Sequence, residues 1–334
     1  MMNKIQLPDP QDITTTWSNA DEISSQVDII VVIPTFKRPE HVITTLKSVL
    51  RQETSRPFAI VVMDNHAEGG EGAKVSAELL KEHTIPATVI LAHRRGNCAA
   101  YNAGFHIGLT QYPNAKWVQI IDDDEIAHGD WLENMAAVAQ QTDADCTGAP
   151  QHPIFPEGTD RKWIGHSVFR PPYERSGSVP ILYSSGNVMI KTELLRNHGY
   201  PWLDERFNFL GGGDSDFYSR TKANGATFAW QSKGGVDETT PARRTELSWL
   251  NSRSLRNGSI SAAIQQKAAK SLTDGLKRFV KTCLLLAASP YRSLILFVKT
   301  KSLTMALNPM NVALGRLLME FGFANEQYRA AENN

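Results

Sequence analysis

The sequence predicts an α/β fold, a mostly parallel sheet flanked by helices, with a helical C-terminal extension. Three observations carry this. Short runs of apolar, β-branched residues recur with room for one helix between each pair. The runs are apolar throughout rather than alternating, as strands buried on both faces are. Each run ends in polar or charged residues, and sheets of this kind bind ligands at the carboxyl ends of their strands.

Residues 1–27 are mixed polar residues with two prolines and read as an arm or an added strand, without the apolar stretch of a secretory leader. Asp28–Ile33 is the first buried strand, ended by Pro34-Thr35, and Pro39–Arg51 reads as a helix with proline in its first turn. Phe58–Met63 is the second strand, closed by Asp64-Asn65, with a helical segment following over 72–83. Ala87–Ala92, a helix over Asn97–Leu109, the strand Lys116–Ile121 and a helix over Trp131–Gln141 continue the alternation.

Beyond this the pattern loosens. Pro150–Pro180 is rich in proline, glycine and aromatics, which suggests a long loop or a lid-like insertion. Val188–Ile190 reads as a short strand. A helix after Gly211-Gly212-Gly213 ends at Asn224-Gly225, and Ala226–Trp230 reads as a closing strand. From Pro241 the pattern is helical, so the expected organisation is an arm over 1–27, an α/β domain over 28–240 and an extension over 241–334.

With 334 residues and 41% hydrophobic content, the chain can bury a full core. Its net charge is zero but divided: from Pro241 onward 14 lysines and arginines face 5 acids, and the first 240 residues carry the opposite excess. Cys98, Cys146 and Cys283 share no ligand spacing, so neither a disulfide framework nor a zinc site is indicated. The longest uncharged apolar run, Cys283–Tyr291, is too short to span a bilayer, which implies a soluble or peripherally bound chain.

Chemistry concentrates where Val118–Ile121 runs into Asp122-Asp123-Asp124-Glu125. Four adjacent acids repel one another unless they face water or share a cation. The stretch is therefore either a divalent-cation site or a solvated acidic turn ahead of a helix. Asp122 and Asp124 have the spacing to divide the work, one toward a ribose and one on the metal, with Asp123 on the metal or capping. Thr35, Lys37 and Arg38, then Asp64 and Asn65, then Arg94, Arg95 and Asn97 stand at the other strand ends. Together these ends favour a nucleotide-type ligand. The glycine fingerprints of dinucleotide and P-loop sites are absent.

Asp214 follows three glycines at a helix start and is either an N-cap or a general base, with Asp216 and Arg220 spaced as a helical ion pair. Glu238 is a further metal or phosphate contact or a plain turn residue. Trp249 and Arg253, one helical turn apart, clamp an acceptor or dock the tail helix by a cation–π contact. In the tail, Leu276, Phe279, Val280, Cys283, Leu284 and Ala287 share one helical face, with Lys277, Arg278 and Lys281 off it. Such a segment suits either an anionic membrane surface or packing on the catalytic domain. No nucleic-acid-binding motif accompanies the charge.

From about Asp28 to Gly258 the chain resembles family 2 glycosyltransferases of the GT-A fold, particularly bacterial exopolysaccharide enzymes of the succinoglycan type. The resemblance rests on Val32-Ile-Pro-Thr-Phe-Lys-Arg38, Arg95-Gly-Asn-Cys-Ala-Ala100, Asn102-Ala-Gly104 and Ile121-Asp-Asp-Asp-Glu125, then Ser185-Gly-Asn-Val188, Gly211-Gly-Gly-Asp-Ser-Asp-Phe217 and Trp249-x-x-x-Arg253. It implies a metal-dependent, inverting hexosyltransferase using a UDP-sugar and Mg²⁺ or Mn²⁺, with a lipid-linked saccharide acceptor at the cytoplasmic face of the plasma membrane. It implies Asp122 and Asp124 as the metal-binding DxD element and Asp214 as the base. Thr35, Arg38, Asp64, Arg95, Asn97, Asp122 and Asp123 fall on the nucleotide-sugar side, and Asn187, Asp216, Trp249 and Arg253 on the acceptor side. Two positions depart from the family: Gly213 stands where Glu usually precedes the base, and Tyr101 where a basic residue commonly precedes Asn102. A nucleotidyltransferase and a catalytically silent scaffold subunit are the competing readings.

Overall fold

The structure is a computed structural model that describes residues 8–20, 26–159 and 165–323. The chain divides into two compact units. The first comprises Met1–His152, Pro171–Asn208 and Gly213–Glu238, and the second Pro153–Arg170, Phe209–Gly212 and Thr239–Asn334. The second unit thus gathers two short inserts in addition to the tail expected from Pro241.

The first unit is built on a nine-stranded sheet in the order β1-β4-β3-β2-β5-β10-β7-β11-β9. β1 (Ile13–Ser18) is the added strand, antiparallel to β4. β2 (Ile29–Thr35), β3 (Phe58–Asp64), β4 (Ala87–Ala92) and β5 (Trp117–Ile121) are parallel, within a residue or two of the expected runs. Beyond β5 the sheet turns mixed. β10 (Asn187–Lys191) is antiparallel to β5 and to β7 (Cys146–Gly148), and β11 (Phe228–Trp230) is parallel to β7. The expected closing strand is therefore not the edge, because β9 (Gly177–Val179) lies outside it.

The helices are α1 (Pro39–Leu50), α2 (Glu71–Leu80), α3 (Asn97–Gln111), α4 (Trp131–Thr142), α5 (Thr192–His198) and α6 (Gly213–Ala223). Ile29, Val31, Ile33, Ile60 and Val62 pack with Leu46 and Val49 of α1 and Trp131, Leu132 and Met135 of α4 in one core. α3 covers β2 and β3 closely enough that a side chain at Gly104 would meet Met63 at 2.5 Å and one at Gly108 would meet Ile30 at 2.8 Å. A short pair, β6 (Glu125–Ala127) with β12 (Val236–Thr239), runs antiparallel beside the end of β5 and sets Glu238 opposite Glu125.

The second unit contains α7 (Leu247–Ala268), α8 (Leu272–Thr300) and α9 (Leu303–Glu320). α7 and α9 meet backbone to backbone. A Cβ on Gly258 would fall on the Val312 carbonyl, and one on Gly315 on the Leu255 carbonyl. Small polar groups stitch the seam: Ser259 Oγ donates to Gly315 O at 3.0 Å, Ser254 Oγ to Asn308 Oδ1 at 2.8 Å, and Arg316 reaches Ser261 and Gln265. Arg278 of α8 grips the buried Glu320 through three contacts of 2.9–3.0 Å. α8 runs uninterrupted through its charges for 29 residues, long and apolar enough by length and composition to cross a membrane.

Candidate active site

Strand register assembles the candidate site. β2 and β3 pair so that Thr35 lies beside Asp64, at the same sheet edge where β5 ends in Ile121. Next to Thr35, Lys37 sits in the left-handed region (φ 58°), turning the chain before Arg38. The Arg38 guanidinium then reaches Asp123 at 3.2 Å and Asp124 at 3.3 Å. Thr35 Oγ1 donates to the other oxygen of Asp123 at 2.8 Å.

The acid cluster does not stay extended. It turns, with Glu125 N donating to Asp122 O at 3.2 Å and Asp122 N to Glu125 Oε2 at 2.9 Å. Thr45 of α1 fixes the turn from beneath, its hydroxyl reaching the carbonyls of Asp123 at 2.8 Å and Glu125 at 2.6 Å. Gln151 donates to Glu125, and Tyr101 donates to Asp122. Tyr101 thus supplies a neutral donor to the cluster, at the position where the family commonly carries a base.

Electrostatics mark these acids as strained by one another. Burial, then Asp124, pushes Asp122 up to about 7, with Asp123 and Glu238 adding to the rise. Burial pushes Asp123 up to about 6 against the pull of Arg38. Glu125 is driven well above the carboxylate range by burial and by Asp122 and Glu238. Like charges within a low-dielectric site favour a bound cation or a shared proton. Among the described residues no three carboxylate, imidazole or thiol groups form a ready-made ligand set. Magnesium-type sites commonly use only one or two carboxylates with substrate phosphates, and the Asp122–Asp124 pair has the hard oxygen donors this needs. The residues fit the metal.

Asp64 is fully buried, its two oxygens accepting from His66 N and Ala73 N, each at 2.9 Å, and burial raises its pKa. α2 passes close because residue 72 is glycine: a Cβ there would come within 2.7 Å of Thr35 Cγ2 and 3.1 Å of Asp64 Oδ2. Arg95 lies 5.3 Å over the Phe36 ring, and Asn97 is exposed at the start of α3. Asp214 stands in the first turn of α6, where its Oδ1 accepts from Ser215 N at 2.7 Å. Its charge acts on Cys98, Tyr101 and Tyr218, so it lies near the Asp122–Tyr101 pair. Gly213 is forced by packing, because a Cβ there would fall on Cys98 Sγ.

Two acceptor-side candidates, Asn187 and Asp216, are engaged within the fold. Asn187 is buried with its amide fully engaged: Oδ1 accepts from Trp131 Nε1 at 2.9 Å, and Nδ2 donates to Pro150 O and Gly234 O. Asp216 is buried and binds Arg220 Nε at 2.8 Å, in a cluster where Arg220 also meets His198 and Trp202 O. Both hold the fold. Trp249 and Arg253 belong to the second unit, where Trp249 stacks on Phe169 and Arg253 lies 5.9 Å over its ring. Sequence reasoning missed Thr45 and Gln151. Thr45 carried one signal, a hydroxyl on the apolar face of a helix.

The fold is GT-A. The Glycosyl transferase family 2 model matches residues 30–199, just over half the chain, and the protein belongs to that family. It is 26% identical over 260 residues to succinoglycan biosynthesis protein ExoM of Rhizobium meliloti (strain 1021), covering 73% of this chain and 77% of the relative. It is 22% identical over 261 residues to chondroitin synthase of Pasteurella multocida (strain Pm70), covering 66% of this chain but 26% of that protein's length. Among solved structures, mannosyltransferase PcManGT from Pyrobaculum calidifontis, in complex with GDP-Man and Mn2+, superposes with a TM-score of 0.57 at 17% identity, covering 88% of each chain.

Proposed function

We propose that this glycosyltransferase moves a hexose from a UDP-sugar to a lipid-linked saccharide acceptor in exopolysaccharide synthesis, with inversion at the anomeric carbon. The observation that carries the reading is the buried carboxylate turn Asp122–Glu125 at the end of β5, braced by Thr35, Arg38, Thr45 and Tyr101, with Asp214 near it. The relative in succinoglycan biosynthesis supports the pathway class, and the mannosyltransferase neighbour holding a nucleotide-sugar and Mn2+ supports the donor class and the metal.

In this reading Asp64 and Thr35 receive the nucleoside, and Arg95 and Asn97 flank it at the start of α3. Asp122 and Asp124 would hold Mg²⁺ or Mn²⁺, which when bound would supply positive charge to the departing diphosphate. Arg38 orients Asp123 and Asp124 through contacts of 3.2 and 3.3 Å. Asp214 takes the proton of the acceptor hydroxyl as that oxygen bonds the anomeric carbon and the bond to the diphosphate oxygen breaks. Tyr101 fixes the Asp122 carboxylate by hydrogen bonding to one of its oxygens, leaving the other for the ligand. We assign the basic second unit to an anionic membrane surface at the cytoplasmic face, where a lipid-linked acceptor resides.

The test is a panel of UDP-sugars incubated with the protein and Mn²⁺, with UDP release measured by chromatography and UDP binding by calorimetry. One donor should be hydrolysed slowly, and chelation or Asp124→Ala should abolish the release. Absence of both turnover and Mn²⁺-dependent UDP binding would overturn the reading.

A further inference from the structure

The helix α8 is built inside out. The residues it buries are Thr282, Ser289 and Ser293, all small hydroxyls. Its large apolar residues face outward: Leu276 is 63% exposed, Leu284 66%, Tyr291 70% and Leu294 60%, with Phe279 and Val298 also exposed. At about 100° per residue these positions fall within one arc of the helical wheel and so form one stripe along the helix. Met310, Leu314 and Leu318 leave a similar outward row on α9. In water such a stripe is a liability, since folded chains rarely leave so large a contiguous apolar surface uncovered.

Charge says what covers it. Lys277, Lys281, Arg292 and Lys299 are exposed on α8 and fall on a second arc, beside the apolar stripe on the helical wheel. The two acids of this helix pair are Asp274, in the first turn, which accepts from Lys270 N at 3.2 Å beside the Ser271 cap, and Glu320, which is buried against Arg278. An apolar stripe edged by four cations, with Asp274 at its first turn as the one accessible acid among the described residues of the pair, matches the boundary between acyl chains and anionic headgroups.

Length alone would also allow α8 to cross. Its 29 residues extend about 44 Å, against a hydrocarbon thickness of ~30 Å. Arg292 opposes crossing: it lies between Lys277 and Lys281 near one end and Lys299 at the other, and a spanning helix would carry it into the hydrocarbon. We propose that α8 lies in the plane of an anionic bilayer, its Leu276–Val298 stripe in the outer acyl layer and its lysines and Arg292 at the phosphates. The proposal rests on the membrane assignment above and adds the face, the orientation and the depth.

The chain carries its own reporter. Cys283 is exposed near the middle of the stripe, while Cys98 and Cys146 are buried. The full-length protein, labelled at Cys283 with an environment-sensitive fluorophore, is added to phosphatidylglycerol vesicles bearing nitroxides at either a shallow or a deep acyl position. In-plane seating predicts quenching mainly by the shallow nitroxide. It also predicts loss of vesicle binding in Leu276→Glu/Leu284→Glu and about fivefold weaker binding for each of Lys277→Gln and Lys281→Gln. Circular dichroism and Mn²⁺-dependent UDP binding check that the variants fold. Quenching mainly by the deep nitroxide means that the helix spans and overturns the proposal. Vesicle binding with an unquenched label means that another face binds, and also overturns it. No vesicle binding at all overturns both this proposal and the membrane assignment, while UDP binding reports separately on the glycosyltransferase site.

Discussion

The acid turn after β5 and the outer stripe of α8 break the ordinary rule of burial in opposite directions. One buries carboxylates, with Glu125 fully covered and Asp123 nearly so, and the other exposes leucines. Each arrangement works against stability in water. Their surroundings differ in kind. Around the acids, Thr35, Arg38, Thr45, Tyr101 and Gln151 spend directed hydrogen bonds on holding like charges in place. Around α8 no directed contact holds the stripe, and its support comes from the glycine seam between α7 and α9 and from the Arg278–Glu320 pair. A site for a small charged ligand requires placement of single atoms, whereas a surface for a bilayer requires only area and charge sign.

The largest expected effect sharpens the first side of that contrast. Asp214→Asn keeps shape and removes the base, so transfer should fall by about 10²–10⁴-fold while Mn²⁺-dependent UDP binding stays within a factor of two. Single-turnover transfer to an acceptor, beside calorimetry, checks it. Wild-type transfer in the folded variant would remove Asp214 from the mechanism.

On the second side, Gly315→Val should lower unfolding stability by about 3 kcal/mol, because its Cβ lands on a backbone carbonyl that cannot move cheaply. The contrast lies within the same helix pair. Gly275 of α8 has open space around it, so Gly275→Ala should stabilise by roughly 0.5–1 kcal/mol through helix propensity. Urea unfolding followed by far-UV circular dichroism measures both, and equal effects would show that the seam is not what holds α7 to α9.

Asn187 separates fold from chemistry. Asn187→Ala leaves the Trp131 indole N–H buried without its acceptor and should cost about 1–3 kcal/mol, read as a lowered Tm. The KM for acceptor should stay unchanged at a temperature where the variant is folded. A raised acceptor KM with an unaltered Tm would place Asn187 on the acceptor side.

These particulars show what the sequence made legible. The strands Ile29–Thr35, Phe58–Asp64, Ala87–Ala92 and Trp117–Ile121 were readable because both faces of each are buried, which leaves an unbroken apolar run. β6, β7 and β9 are three residues each, too short to show any period, so the mixed half of the sheet and its edge were invisible. At the site, the acids and their neighbours at strand ends announced themselves by type. Asn187 and Asp216 looked equally polar, yet their partners, Trp131 at 56 positions' remove and Arg220 on the same helix, take up their hydrogen bonding. Only folded geometry shows whether a polar atom is left over. The α8 stripe was visible as a periodicity, but which arc faced out was not, since apolar and hydroxyl arcs both lie on a regular helix.

Thr45 gives the smallest effect and the most specific one. Its hydroxyl is buried on α1 and donates to the carbonyls of Asp123 and Glu125, so it acts on the backbone of the acid turn rather than on any carboxylate. Thr45→Val is close to isosteric, and loss of a neutral hydrogen bond should cost about 1 kcal/mol of stability. If the turn must be held for Asp122 and Asp124 to share a cation, the same change should weaken Mn²⁺ affinity in the presence of UDP by several-fold, leaving metal-free UDP affinity alone. Thermal unfolding and calorimetric titration of Mn²⁺ at saturating UDP read the two effects separately. A stability loss with unchanged Mn²⁺ affinity would mean that Tyr101, Thr35 and Arg38 suffice to hold the carboxylates, and that Thr45 serves only the packing of α1 against the end of β5.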